Sequence, residues 1–463
     1  SEMCIRDRSM ERENRQKNER DRIFFSGRCR NQERNRMGSP NETRKVRRTR
    51  TSDRTRHPLS EKPRGSKTVC LPIGQERYKE VFENPTAFRA ILDEMYENHP
   101  DLFPKAMGEG YTLHDLLDPS RKLPDVRLRR FKLRANQEVY TIRPSYVLPY
   151  MTGYTDDVEK GLFLLSFDLP YWAIARVFGH NAMYWERLAE RLGHNSLVGS
   201  TVRQPETLPE HLLADEKHTH LCGEKVYIAT TVANECVLGA AVSPSAGQED
   251  LQEAYAQFKR EAQNLNPDYQ PQTVNTDGWK ATIAVWTALF PRSVLILCFL
   301  HAFIRIRDRC KRLKTFFPTI CTLVWNAYHA VTPADFHAQM ADLAIWAVET
   351  LPDGLALDSI LKLCLKGDLY VLAYNFPQAY RTSNMLDRHM NDMDRFLFAS
   401  RDFHGHLMTA EYRTRGWALL HNFRPYSPRS TLSKSFHSRT HRLNGSVYHT
   451  HWLHNLLLSL IHI

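Results

Sequence analysis

The chain has 463 residues, 42 % of them hydrophobic and 25 % charged, with a formal net charge of +11. That is the composition of a globular protein large enough for several cores, and no stretch reaches the ~18 apolar residues of a membrane span. Residues 1–70 hold 21 Lys and Arg against 10 Asp and Glu, while the remaining 42 basic and 42 acidic residues cancel. A charge argument for a polyanionic partner therefore rests on the first 70 residues alone. The nine cysteines form no CxxC pair, which argues against a zinc ribbon or a disulfide framework and fits a reducing cytoplasm.

Both ends look foreign. Residues 1–9 and 458–463 resemble translated sequencing-adapter DNA and are set aside from fold reasoning. Residues 10–68 are rich in Arg, Asn, Glu, Ser and Thr with almost no apolar periodicity. They read either as a disordered basic arm or as translated upstream sequence.

Residues 70–150 form the first expected region. Helical spacing of apolar residues runs over 75–118, broken at His99-Pro100 and Phe103-Pro104. Over 121–147 the period drops to two, which predicts short strands or a hairpin. Seven Lys and Arg stand in 121–134 against one acid, Asp125. Among them Arg127, Arg129 and Arg130 lie either on a solvated strand face or on a ribbon that contacts phosphates.

Residues 151–200 read as three helices. Pro170 is placed to start the second, Gly179 to end it and Asn181 to cap the third. A short helix, a glycine turn and a second amphipathic helix make a helix-turn-helix pattern. On its second helix Tyr184 and Arg187 are the exposed polar positions expected to read DNA. Trp172 and Trp185 are expected in the core.

Residues 208–301 change character. Three β-rich runs, a helix, a strand, a helix and a strand follow in order, an antiparallel triplet and then parallel crossovers. This is the order of a ribonuclease-H-like fold. Residues 302–380 show helical spacing only, so they read as an all-helical insertion. Residues 381–425 return to the core with a further helix over 382–398, and 426–457 form a polar C-terminal segment. The expected fold is thus an α/β ribonuclease-H-like core with a helical insertion, behind a helix-turn-helix region.

In that strand order the strands ending at Asp215 and Asp277 lie side by side. Two carboxylates that close repel unless a cation lies between them. A pair of Mg²⁺ or Mn²⁺ ions resolves the repulsion, and such ions can activate both the attacking and the leaving oxygen of a phosphodiester. A third acid is expected from the helix over 382–398, where Asp387 and Asp394 share a face seven residues apart. Arg388 and Arg395 beside them either meet phosphates or form a solvated face. Cys298-x-x-His301 offers too few ligands for structural zinc. His301 is expected to touch the scissile phosphate or brace the acids, with Cys298 in the core. Arg305 opens a basic run over 305–312 that is expected to contact DNA.

Taken together, Ala214-Asp215-Glu216-Lys217, Asn275-Thr276-Asp277-Gly278-Trp279, Cys298-x-x-His301, Thr382-Ser383-Asn384-x-x-Asp387, Trp417 to Pro425 and Leu443 to Trp452 resemble a DDE transposase of the insertion-sequence type, in the broad Mutator-like group. The resemblance covers roughly residues 75–457. It implies metal-dependent phosphoryl transfer without a covalent protein intermediate: water frees a 3′-hydroxyl at the element's end, and that hydroxyl attacks target DNA. It implies Asp215, Asp277 and Asp387 as catalytic metal ligands with His301 beside them. It further implies transposon-end and target DNA as partners, a homodimer or higher homo-oligomer on DNA, and a place in the cytoplasm with the nucleoid. The family more often has Glu at the third position, with Glu411 a weaker substitute. The competing expectations are a catalytically dead DNA-binding relic and a ribonuclease-H-like nuclease without strand transfer.

Overall fold

The computed structural model describes residues 67–149 and 152–460. The first adapter-like segment and nearly all of the basic arm lie outside the described residues.

Strand β1 (Lys67–Leu71), helices α1 (Gln75–Phe82) and α2 (Pro85–Asn98), and strands β2 (Tyr111–Leu117), β3 (Leu128–Leu133) and β4 (Val139–Pro144) build the first unit. Their sheet runs β1-β4-β3-β2, with β1 parallel to β4 and the other pairs antiparallel. The helical spacing expected over 75–118 holds only as far as Asn98. Residues 111–117 are a strand because Tyr111 through Leu117 pair with Leu133 through Leu128, and a ladder overrides a helical apolar spacing. The period-two stretch forms the β3–β4 pair as expected.

Helices α3 (Thr155–Leu165), α4 (Tyr171–Phe178), α5 (Ala182–Leu192) and the short α6 (Leu197–Thr201) follow. Gly179 takes φ +79° after α4, and Asn181 accepts from the Tyr184 N–H to cap α5. Trp185 is fully buried, and its indole donates to the Gly179 carbonyl at 3.0 Å. Trp172 departs from expectation: it is 69 % exposed, because Ile174 turns inward on α4 and the tryptophan stands about 160° round the helix from it.

The central sheet comprises β5 (His211–Leu221), β6 (Glu224–Ala233), β7 (Cys236–Ser243), β8 (Thr273–Thr276) and β9 (Val294–Leu297), in the order β7-β6-β5-β8-β9. The first three strands are antiparallel neighbours; β5–β8 and β8–β9 are parallel. The β6–β7 turn has positive φ at both Asn234 and Glu235, which suits the twist of a tight hairpin. Helices α7 (Gln248–Leu265) and α8 (Lys280–Leu289) make the crossovers and bury Tyr255, Phe258 and Trp286 against Leu212, Ala214 and Leu238. The other side chains of the same strands, Leu213, Ile228 and Val237, share a core with helices α14 (Asn384–Ser400) and α15 (Leu407–Phe423). This is the period-two alternation of strands covered on both faces.

Between β9 and α14 lie α9 (Phe299–Arg309), α10 (Phe317–His329), α11 (Pro333–Thr350), α12 (Leu355–Leu365) and α13 (Gly367–Val371). They are all helical, as expected, with a core of their own around Phe299, Phe336, Leu343 and Ile360. Helix α15 meets α5 at close range: a β-carbon on Gly416 would lie 2.2 Å from the Ala189 carbonyl oxygen. After α16 (Arg439–Asn444), helix α17 (Trp452–Ser459) buries Leu456, Leu457 and Leu458, so the boundary expected at 457 falls inside a packed helix. No helix of the described residues is long and apolar enough to cross a membrane. The described residues form a mixed α/β fold with two mixed sheets and many helices.

Candidate metal centre

The β5–β8 ladder sets Leu213 opposite Asn275. Two residues beyond this pair Asp215 and Asp277 stand level, Asp277 just after β8 ends at Thr276; β5 does not end at Asp215 as expected but continues to Leu221, because its second half pairs with β6. Helix α14 crosses the face that carries Asp215. Along β5, Asp215 meets Asp387, Lys217 pairs with Asp394 at 2.5 Å, and Thr219 donates to Asp402 at 2.7 Å. Alternate residues of the strand thus meet the helix and the turn just past its end.

Asp215, Asp387 and His301 each offer a ligand atom, and the three atoms lie within 4.8 Å of one another. All three residues are half-buried, and among the described residues this is the one such group. Its two carboxylates and one imidazole are a donor set for a divalent cation that accepts nitrogen as well as oxygen.

Burial and neighbouring charges act together on these groups. Burial raises the Asp215 pKa to about 6, helped by the charge of Asp277 and opposed by the Glu216 N–H and by His301. Burial likewise raises Asp387, against a hydrogen bond from Ser383 and the field of His301. Hydrogen bonding to the Cys298 sulfur raises His301, burial opposes it, and the Asp215 and Asp387 carboxylates add to the rise, to about 9.

Asp277 stands beside this group. Its Oδ1 accepts from the Trp279 N–H at 2.7 Å, and its Oδ2 lies 3.7 Å from the Arg305 guanidinium. The structure groups two of the three expected ligands, Asp215 and Asp387, with His301, which was expected to brace the acids; the third, Asp277, stands outside the group. Glu411 lies elsewhere: it accepts from Val242 N and Gln257 Nε2 on the far edge of the sheet.

Residues that sequence reasoning passed over complete the site. Ser383, 3 % exposed, stands between His301 and Asp387. Glu216 points to the opposite face of β5 and accepts from Tyr255 and Thr282 at 2.8 and 2.7 Å. Burial pushes it up to about 7. Alternation along β5 was the available signal for Glu216 and Lys217; Ser383 had only its place in the Thr-Ser-Asn motif.

The expected DNA contacts are dispersed. Arg129 faces inward, donates to the Phe82 carbonyl at 2.6 Å and stacks on Phe88; strand alternation places it on the covered face. Arg130 pairs with Asp115, Arg388 with Glu235 at 2.9 Å and Arg395 with Asp392 at 2.5 Å. Tyr184 stacks on His180 at 4.1 Å. Arg127 is exposed, as is Arg187 on the outer face of α5.

No protein-family model matches this chain, and no curated protein does. The functional reading rests on the residues themselves.

Proposed function

We propose that the chain is a metal-dependent phosphoryl-transfer enzyme acting on DNA: a transposase that binds the terminal repeats of its element, cleaves there and joins the freed end to target DNA. The observation that carries this reading is the convergence of Asp215, His301 and Asp387 midway along β5, with Asp277 immediately after the end of the neighbouring β8. The strand order β7-β6-β5-β8-β9 supports a ribonuclease-H-like core, and the resemblance drawn from the motifs supports the substrate. On this reading the protein works beside the chromosome in the cytoplasm.

Asp215 and Asp387 would hold Mg²⁺ or Mn²⁺ through oxygen and His301 through nitrogen. When bound, such a cation supplies Lewis-acid polarisation of a phosphodiester oxygen. The rest belongs to the chain. Asp277 orients the loop after β8 through the Trp279 N–H. Arg305 brings a cation beside it, with donors that suit a phosphate. Half-burial of the acids keeps water from screening these charges. The exposed face of α5, including Arg187, is the reader in this proposal.

The test is a divalent-metal cleavage assay on DNA carrying the inverted repeats that flank the gene, with a chelator control. Cleavage at the repeat ends followed by joining supports the transposase. Cleavage without joining or end preference makes the protein a nuclease, and binding without cleavage makes it a relic.

A further inference from the structure

Ser383 occupies the cap position before α14, yet its hydroxyl makes no cap hydrogen bond. A serine there ordinarily accepts from a backbone N–H of the first turn. Instead it is turned into the metal centre. Its Oγ lies 3.0 Å from Asp387 Oδ2, 3.4 Å from His301 Nδ1 and 3.3 Å from Cys298 Sγ. The Ser383 N–H in turn reaches the Cys298 sulfur at 3.2 Å, and the Phe299 N–H donates to the Arg381 carbonyl. The segment before α14 is thus pinned to the end of β9 and the start of α9.

A hydroxyl has one proton and two lone pairs. With Asp387 as a carboxylate, that proton goes to Asp387 Oδ2. The lone pairs then accept from the Cys298 S–H and from His301, so His301 must present Nδ1–H to Ser383. This leaves Nε2 as the ring nitrogen available to a cation, and an oxygen partner on the other nitrogen is the usual support of a histidine ligand. We infer that Ser383 is a positioning residue that aims His301 Nε2 and the Asp387 carboxylate at one shared cation, making a mixed nitrogen–oxygen site. The inference rests on the metal reading above and adds to it a ligand atom and the residue that selects it.

The experiment uses the full chain and Mn²⁺ alone. Free Mn²⁺ is followed by electron paramagnetic resonance, and bound Mn²⁺ by the spin-echo modulation of a coordinated imidazole nitrogen. The expected wild-type result is a bound ion with nitrogen modulation, absent in His301→Gln. Ser383→Ala should weaken binding roughly ten- to a hundredfold and lose the modulation, and Ser383→Thr, which keeps the hydroxyl, should restore both. Unchanged affinity and modulation in Ser383→Ala would overturn the inference while leaving the metal reading intact. A wild-type chain that binds no Mn²⁺ would remove both. A check that needs no folded Ser383 variant is histidine-selective nitrogen NMR of the wild-type chain with Zn²⁺, assigned through His301→Gln. It should find His301 protonated at Nδ1 and coordinating through Nε2, and the opposite tautomer would overturn the inference.

Discussion

Lys217 Nζ lies 2.5 Å from Asp394 Oδ1, so the alternative candidate on α14 already has its cation, and Asp387, two turns earlier, is the one that faces Asp215 and His301. Asp387→Ala should lose metal-dependent cleavage, whereas Asp394→Ala should retain it within a few-fold. Glu411→Ala should also cleave, because its carboxylate serves Val242 and Gln257. A dead Asp394→Ala that still folds and binds DNA would move the third acid along the helix.

Asp277 and Asp215 should separate in assays of metal binding. Asp277 is level with Asp215 but its oxygens serve Trp279 and Arg305. Asp277→Asn is expected to cut cleavage by roughly a hundredfold or more and leave DNA binding near normal. Its Mn²⁺ affinity should fall much less than that of Asp215→Asn. Equal losses of affinity would place Asp277 among the ligands.

Arg187 and Arg129 should also diverge. Arg187 is exposed on α5, so Arg187→Ala should lower the preference for cognate over scrambled ends, on the order of 1–3 kcal/mol if a base contact is lost. Arg129 is buried on the Phe82 carbonyl, so Arg129→Ala should lower the unfolding midpoint and leave end preference alone. Binding titrations at two salt concentrations, with urea unfolding alongside, check both.

The buried pair Arg415–Glu261, 2.6 Å apart, should dominate stability at the junction of α7, α6 and α15. Glu261 also accepts from Ser196 Oγ and Val198 N. Removing only the arginine leaves a buried carboxylate, so Arg415→Ala should cost about 3–5 kcal/mol in urea unfolding. Arg415→Met with Glu261→Gln should cost less than the single change.

A fifth expectation concerns acid. His389 Nδ1 and His421 Nε2 lie 2.8 Å apart in the core between α14 and α15. Burial, then the charges of Arg439, Arg388 and Arg424, lowers His389 to about 3. Burial, Arg439, His389, Arg424 and Arg395 lower His421 well below its usual value; Asp392 Oδ2 stands 3.7 Å away. In the unfolded chain both titrate near 6.5. Below that pH the unfolded state takes up protons that the native state refuses, so stability is full above about 6.5 and declines as pH falls. The slope is about 1.4 kcal/mol per pH unit for each histidine. Urea midpoints between pH 7.5 and 5 should fall accordingly, with a shallower fall in His389→Gln.

Much of this protein was determined by local sequence. The alternation in β5, β6 and β7, the Asn234-Glu235 hairpin, the Asn181 cap and the spacing of α3, α4 and α5 involve residues only a few positions apart, so the chain states them without tertiary help. The order of strands and crossovers likewise sufficed to bring Asp215 and Asp277 level. Tertiary structure decided the rest. Residues 111–117 became a strand because β3 was there to pair with them. Four of the expected phosphate-binding arginines, Arg130, Arg305, Arg388 and Arg395, found nearby carboxylates, and Arg129 turned into the core. Ser383 reached Cys298 and His301 across 85 and 82 residues of chain. Periodicity reports which face of an element is covered; it carries no information about which distant side chain does the covering. For that reason Asp215 and the histidine that braces it were legible in the sequence, while the company of Ser383 and Lys217 around them became visible only in the fold.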